Sequence, residues 1–380
     1  MIASKVVNQQ DELWMKFAVA LSEKSQGLTS ENPNVGCAVI DANGFLCGSG
    51  FTQIGGRPHA ETIALDDAGE KAMGGTLYVT LEPCSHYGKT PPCTDAIIQA
   101  GVKRVVIGIL DPDTRVNGLG IKLLKKAGVD VEIGLLQEDV KKSIPSFLAR
   151  NSFFHKEENN SKSLRPFITV KIARSLDGFM SKAIGKGSQI SNQVSASYVH
   201  DLRSRVDAVL TSKQTVEIDN PLLTARINGL KLTTTRIVLD RELAISELKK
   251  LVKTSIEHPL IIVTENQPPE AHWVYNKKKY ENIRLIVMGD KYNLVDIFKV
   301  LIEQGIGHIL VEPGPRLLES LISMKLADEF IEIISQKKLR TGLSIKNTKQ
   351  TVEFSPPKFY LLDKQFNLVD DIVKIWKLQN

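Results

Sequence analysis

One histidine, one glutamate and two cysteines, gathered between Gly56 and Cys93, constrain this chain more than any other feature. They stand in Gly56-Arg57-Pro58-His59-Ala60-Glu61, in Leu81-Glu82-Pro83-Cys84 and in Thr90-Pro91-Pro92-Cys93. An imidazole and two thiolates suit a tetrahedral Zn²⁺ whose fourth position stays open for water. Any fold must then bring residue 59 beside residues 84 and 93. Glu61, two positions past His59, would lie near the ion but is spaced as a proton carrier rather than a ligand.

Plainer readings compete with this one. A histidine near two cysteines can be core packing, and the same set can hold a structural zinc that takes a fourth protein ligand, for which His86 is the nearby candidate. A glutamate between ligands has little use in such a closed site. The run H-x-E followed by P-C-x-x-C is the signature of zinc deaminases. Here eight residues, not two, separate the cysteines. The reading carried forward is an open zinc site with ligands His59, Cys84 and Cys93 and Glu61 as the catalytic residue.

A chain of 380 residues is long for one core and reads as two domains. Its 42% hydrophobic and 24% charged residues are those of a globular protein, and no apolar run approaches the length of a membrane span. Residues Met1 to Asp11 lack the order of a signal peptide, and four cysteines make no disulfide framework, so the cytoplasm is the expected compartment. The net charge of +6 is scattered, as in Lys249-Lys250 and Lys277-Lys278-Lys279, without interleaved aromatics. A single-strand-binding platform is therefore poorly supported, and neither nucleic acid nor membrane is expected as a partner. A phosphorylated small molecule would account for the scattered arginines and lysines equally well.

Apolar spacing predicts a helix over residues 11–25, a hairpin of strands 35–40 and 45–51, and a helix from His59 to Ala68. Cys37 and Cys47 fall in the hairpin and read as small apolar residues rather than ligands. A strand at 76–80 leads into Cys84, and Pro91-Pro92-Cys93 opens a helix, whose N-terminus favours a thiolate. Strands at 102–109 and 129–134 flank a turn and helix at 116–127, so this half is α/β. Residues 157–165 are polar and aperiodic, the mark of a linker. Beyond them strands at 167–172, 208–211, 236–239, 260–264, 283–287, 308–311 and 328–335, with helices at 194–204 and 294–304, predict a second α/β domain.

Several runs resemble one known family. Asn32-Pro33-Asn34-Val35-Gly36-Cys37, Pro58-His59-Ala60-Glu61, Tyr78-Val79-Thr80-Leu81-Glu82-Pro83-Cys84 and Thr90-Pro91-Pro92-Cys93 are similar to the deaminase half of the bifunctional riboflavin-biosynthesis deaminase/reductases, including the gap between the cysteines. Asp111-Pro112-Asp113, Asn117-Gly118-Leu119-Gly120, Val170-Lys171-Ile172-Ala173-Arg174-Ser175, His200-Asp201-Leu202-Arg203 and Asp219-Asn220-Pro221-Leu222-Leu223-Thr224-Ala225-Arg226 extend the resemblance through nearly the whole chain. It implies a cytidine-deaminase-like α/β/α domain over 1–150, a linker over 151–165 and a dihydrofolate-reductase-like α/β domain over 166–380.

It also implies two reactions. The first removes the 2-amino group of a phosphoribosylated diaminopyrimidinone with Zn²⁺; Asn34 would hydrogen-bond the ring, although Asn after Pro33 can equally be a turn former. The second reduces the ribosyl chain with NADPH. Ala173, Gln189, Thr215, Asp219, Gly314, Pro315 and Arg316 would touch the cofactor. Gly187, Arg203, Leu223, Arg226 and Glu312 would hold the substrate, arginines suiting a phosphate by their paired donors. A homo-oligomer is expected. The chain departs from the family where Ser-x-Trp-Ile-Thr is usual and Gly187-Ser188-Gln189-Ile190-Ser191 stands instead, and again at Ser335-Gln336 and Leu339-Arg340. A slowed or lost reductase beside an intact deaminase is thus the alternative to a bifunctional enzyme. A nucleic-acid base deaminase and a non-catalytic zinc protein are the readings from other classes.

Overall fold

The computed structural model describes residues 9–88, 90–112, 117–154, 165–181, 190–229, 232–276, 278–339, 343–344 and 357–379. Gly187 and Gln189, together with Asp113, Arg340 and most of the expected linker, lie outside them. The chain divides into two compact units, Met1–Ser163 and Leu164–Asn380.

The first unit runs α1 (Gln9–Glu23), β1 (Gly36–Ile40), β2 (Leu46–Phe51), α2 (Ala60–Ala68), β3 (Thr76–Leu81), α3 (Cys93–Gln99), β4 (Arg104–Ile109), α4 (Leu119–Lys126), β5 (Asp130–Ile133), α5 (Gln137–Ser143) and α6 (Pro145–Phe154). Its sheet has the order β2-β1-β3-β4-β5. β1 is antiparallel to β2 and β3, and β3, β4 and β5 are parallel. Cys37 and Ala38 of β1 and Val105 and Ile107 of β4 are fully buried, as continuous apolar strands of a covered sheet must be.

Two glycines let α2 lie against β2. A Cβ on Gly48 would stand 2.1 Å from the Ala64 carbonyl oxygen, and one on Gly50 2.4 Å from that of Ala60. Residues 48 and 50 share one face of the strand, and 60 and 64 one face of the helix. The Gly-x-Gly and Ala-x₃-Ala pair therefore fixes the height of the helix that opens with His59 and Glu61. α6 runs to Phe154, and its Phe147 and Leu148 pack on this unit's core.

The second unit runs β6 (Phe167–Ser175), β7 (Phe179–Ser181), α7 (Gln193–Ser204), β8 (Ala208–Ser212), α8 (Lys213–Asp219), β9 (Thr235–Leu239), α9 (Lys250–Lys253), β10 (Leu260–Thr264), β11 (Ile283–Val287), α10 (Leu294–Glu303), β12 (His308–Val311), α11 (Pro315–Ser323), β13 (Glu329–Ser335), β14 (Leu343–Ser344), β15 (Tyr360–Leu368) and β16 (Asp371–Leu378). Nine strands form one sheet in the order β11-β10-β9-β8-β12-β6-β13-β16-β15. β12 inserts between β6 and β8, parallel to both. The chain therefore switches direction across the sheet there, and ligands of open α/β sheets bind beyond the carboxyl ends of strands at such a point.

α7 is anchored by the terminal hairpin. Asn192 caps it by accepting from the Ser195 N–H (2.9 Å), and Nδ2 of Asn192 donates to the Leu368 carbonyl (2.7 Å). The buried carboxylate of Asp371 accepts from the Asn192 N–H (2.8 Å) and the Ser195 hydroxyl (2.6 Å). That hairpin was not foreseen from the sequence, since β15 buries only Tyr360 and so carries no apolar alternation.

Candidate active sites

His59 is the N-cap of α2, Cys84 follows the end of β3, and Cys93 opens α3. Their donor atoms lie within 4.8 Å of one another. His59 Nδ1 is 3.3 Å from Cys93 Sγ and 3.6 Å from Cys84 Sγ. Zn–N and Zn–S bonds of about 2.0 and 2.3 Å at tetrahedral angles give an N···S edge of about 3.5 Å. The two N···S separations thus match the edges of a zinc tetrahedron, and the chemistry of the set fits the ion. His86 is exposed and outside the cluster, and Cys37 is buried in the core.

The charges agree with the geometry. A hydrogen bond from Cys93 holds the Cys84 thiol down, to about 4, against burial and with help from His59. Glu61 is only 4% exposed. Burial first, and the negative charge of Cys84 second, push its carboxyl up to about 7, with His59 opposing. A carboxyl poised there can both take and give a proton near neutrality. Asn34 is buried, and its Nδ2 donates to the carbonyls of Ser22 (3.1 Å) and Ser143 (2.9 Å), tying α1 to α5. Its amide nitrogen is thus committed within the protein, and a contact with a ring would fall to Oδ1.

Glu82, between Leu81 and Pro83, has a structural role. Its Oε2 accepts from the N–H of Gly118 (3.0 Å) and Asp111 (3.4 Å), and its Oε1 from that of Gly120 (3.1 Å). The start of α4 is thereby held against Pro83, so closely that a Cβ on Gly120 would lie 2.4 Å from the Pro83 carbonyl oxygen. The residue that leads into Cys84 is fixed by a buried carboxylate. A charged residue at the end of a buried strand was the available signal.

The second unit gathers charge where β12 ends between its neighbours. Glu312 Oε1 accepts from Arg203 Nε (2.6 Å) and Oε2 from Lys171 Nζ (3.3 Å). Burial opposes the negative charge, yet Arg203 and Lys171 overcome it and hold the carboxyl down at about 2. Arg203 also donates through Nη1 to the Thr224 carbonyl (3.2 Å). Gly314 caps α11, with Pro315 in the first turn, and a Cβ on it would lie 3.2 Å from Thr215 Oγ1. Thr215 and the Gly314-Pro315-Arg316 turn are therefore neighbours, at a helix N-terminus whose free N–H groups and dipole fit an anionic phosphate.

Two family models match. "Cytidine and deoxycytidylate deaminase zinc-binding region" covers residues 8–109, and "RibD C-terminal domain" covers 166–337. The riboflavin biosynthesis protein RibD of Aquifex aeolicus is 38% identical over 340 residues, 90% of this chain and 91% of its own. This chain belongs to the bifunctional riboflavin-biosynthesis deaminase/reductase family. RibD of Escherichia coli is 35% identical over 345 residues, covering 87% of this chain and 89% of its own. The solved Thermotoga maritima diaminohydroxyphosphoribosylaminopyrimidine deaminase/5-amino-6-(5-phosphoribosylamino)uracil reductase is 31% identical and superposes with a TM-score of 0.80 over 97% of this chain and 99% of its own. As a member of the family the chain is a zinc-dependent deaminase and an NADPH-dependent oxidoreductase, with the cytidine-deaminase-like and reductase folds expected of its two halves.

Of the residues the family resemblance implies for the reductase half, Arg203 and Glu312 meet directly, and Thr215 meets Gly314. Ala173 lies on β6 in the same alternation as Lys171. Asp219 ends α8 and is exposed. Leu223 has a left-handed φ of 55°, and its side chain is buried with Val206, Val209 and Leu310, so any contact with a ligand would be through its backbone. Arg226 is exposed two residues past Thr224. Lys171 was passed over in the sequence, because a lysine between Val170 and Ile172 reads as the outward face of a strand. Among the described residues no helix is long and apolar enough to cross a membrane.

Proposed function

We propose that the first unit deaminates the diaminohydroxyphosphoribosylaminopyrimidine named for the Thermotoga maritima relative, with His59, Cys84 and Cys93 as the zinc ligands and Glu61 as the proton carrier. One observation carries this reading: three donors spaced as corners of a zinc tetrahedron, with the buried carboxyl of Glu61 two residues past one of them. Zinc bound there lowers the pKa of a water toward about 7. Glu61 would take one proton from the attacking water and give it to the ring nitrogen, then take the remaining hydroxyl proton and give it to the amine, which departs as ammonia. Asn34, its nitrogen held by two carbonyls, would offer Oδ1 to an amino or N–H group of the ring.

NADPH bound in the second unit would supply the hydride that reduces the ribosyl carbon of the deaminated product. Gly314, Pro315 and Arg316 at the start of α11, with Thr215, Asp219 and Ala173, would hold the cofactor. Arg203, Arg226, Glu312 and the Leu223 backbone would hold the substrate. Glu312 stays ionised at any pH the enzyme meets, so it would accept hydrogen bonds and not act as an acid. Gly187 and Gln189 keep the substrate and cofactor roles the family resemblance implies. A cytoplasmic homo-oligomer acting on small molecules, with domains at 1–150 and 166–380, completes the reading.

Metal analysis of Cys84→Ser protein tests it. About one zinc per chain is expected in the parent protein and little in the variant; full retention would show that the ligands are others. Incubation with the phosphoribosyl pyrimidine should release ammonia without NADPH, and should oxidise NADPH only after ammonia appears.

A further inference from the structure

We propose that His200 is a positioning residue of the reductase unit, a neutral hydrogen-bond acceptor that orients the guanidinium of Arg226 toward the phosphate of the phosphoribosyl substrate. The inference rests on the reading that Arg226 holds substrate. α7 places His200 and Arg203 three residues apart, on one face of the helix. Both reach the same acceptor: His200 Nδ1 is 3.0 Å from the Thr224 carbonyl oxygen, and Arg203 Nη1 is 3.2 Å from it. A carbonyl can only accept, so Nδ1 carries the proton and Nε2 of the neutral ring is left with its lone pair. That lone pair faces Arg226, whose Nη2 lies 3.0 Å away.

The surroundings keep the ring neutral. Burial first, then the positive charges of Arg203 and Arg226, lower the basicity of His200; the Thr224 carbonyl and Glu312 oppose them. Arg226 is exposed and has a long side chain with many rotamers, so an acceptor fixed by the helix removes freedom that a phosphate would otherwise have to remove on binding. The residues also form a chain: Glu312 holds Arg203, Arg203 and His200 hold Thr224, and His200 holds Arg226. The substrate arginine is thereby referred back to the end of β12.

The test is a mutant cycle on the full chain, read as KM and kcat for the phosphoribosylaminouracil at saturating NADPH. His200→Phe, which keeps a ring and removes the acceptor, should raise KM about tenfold with kcat changed less than about twofold, the scale of a hydrogen bond to a charged donor. His200→Gln, whose Oε1 can stand in for Nε2, should keep KM within about threefold of the parent by the same measure. Arg226→Met should raise KM at least as far as His200→Phe, and His200→Phe added to it should raise KM no further. An unchanged KM for Arg226→Met would overturn the substrate reading itself. A raised KM for Arg226→Met beside an unchanged KM for His200→Phe would overturn only the positioning role, as would equal defects in His200→Phe and His200→Gln. Should His200→Phe fold poorly, ¹⁵N spectra of the parent's histidines decide: a neutral ring protonated at Nδ1 is expected for His200, and protonation at Nε2 refutes the inference.

Discussion

Glu61 and Glu312 are both carboxylates withdrawn from water at the mouth of a strand–helix connection, and they are pushed in opposite directions. Burial, and behind it the Cys84 thiolate, raises Glu61 to about 7; Arg203 and Lys171 overcome burial and lower Glu312 to about 2. Burial acts on both alike, by disfavouring charge. The neighbours decide the outcome. A carboxyl that can be charged or neutral near pH 7 is able to move protons, whereas one that is always charged can only anchor. On the proposed reading the two halves divide the chemistry as well as the chain: one would supply its own acid and base, the other a fixed framework for a reactant that carries its own reducing power.

The comparison is broken most directly at Glu61. Glu61→Gln keeps the volume and removes the proton site, so ammonia release should fall by about 10²- to 10⁴-fold while zinc content and the reductase reaction are retained. Near-normal ammonia release would end the claim that this carboxyl differs in kind from Glu312. Glu312→Gln should do something else. It leaves two cations facing a neutral amide, and urea unfolding should show the reductase unit destabilised by about 3 kcal/mol with deamination unaffected. A stability equal to the parent's would mean that the ion pairs are dispensable.

A third withdrawn group sharpens the contrast. His308, 6% exposed, is lowered by burial to about 4 against the nearby Asp207 and Asp328. Its Nε2 meets the Thr169 hydroxyl at 2.9 Å. A lowered histidine is bound by more protons in the unfolded chain, so its contribution to stability is complete above about pH 6.5 and is lost as pH falls toward 4. Unfolding of the reductase unit at pH 7 and 4.5 should differ by about 2 kcal/mol more in the parent than in His308→Gln. Equal pH dependence in the two proteins would exclude His308 as the source. The smallest effect is expected at Gln189. Gln189→Trp restores the family's usual aromatic, and a stacking contribution of about 1 kcal/mol would tighten NADPH binding roughly fivefold in a fluorescence titration. No tightening would show that this position does not bear on the cofactor.

The deaminase site was legible because its chemistry is local. His59, Glu61, Cys84 and Cys93 fall within one short stretch, and each of the three ligands directly follows a proline. The reductase cluster was not legible from residue types alone. Lys171 and Glu312 are 141 positions apart, and Arg203 and Glu312 are 109 apart. Only the parallel insertion of β12 brings them together, and neither periodicity nor spacing encodes that. Apolar runs such as Leu260–Thr264 and His308–Val311 placed the central strands to the residue, since a covered strand is apolar throughout. The elements that escaped include α5 and α8, whose surfaces are mixed, the short α9, β7 and β14, the helices α6 and α11, and the β15–β16 hairpin, which tertiary anchors such as Asp371 hold in place.

Gly48 and Gly50 set the tolerance of the metal site to change without touching it. A single methyl at either would collide with backbone, which cannot rotate aside as a side chain can, so the helix beginning after His59 would have to rise from the sheet. His59 would rise with it while Cys84 and Cys93, borne on other connections, stayed behind. A library of variants screened for metal content should therefore score these two positions like ligands. Their neighbours Cys47 and Ser49, half-buried with side chains on the other face of the strand, should score well below them. The most fragile dimension of the site is a distance between two backbones.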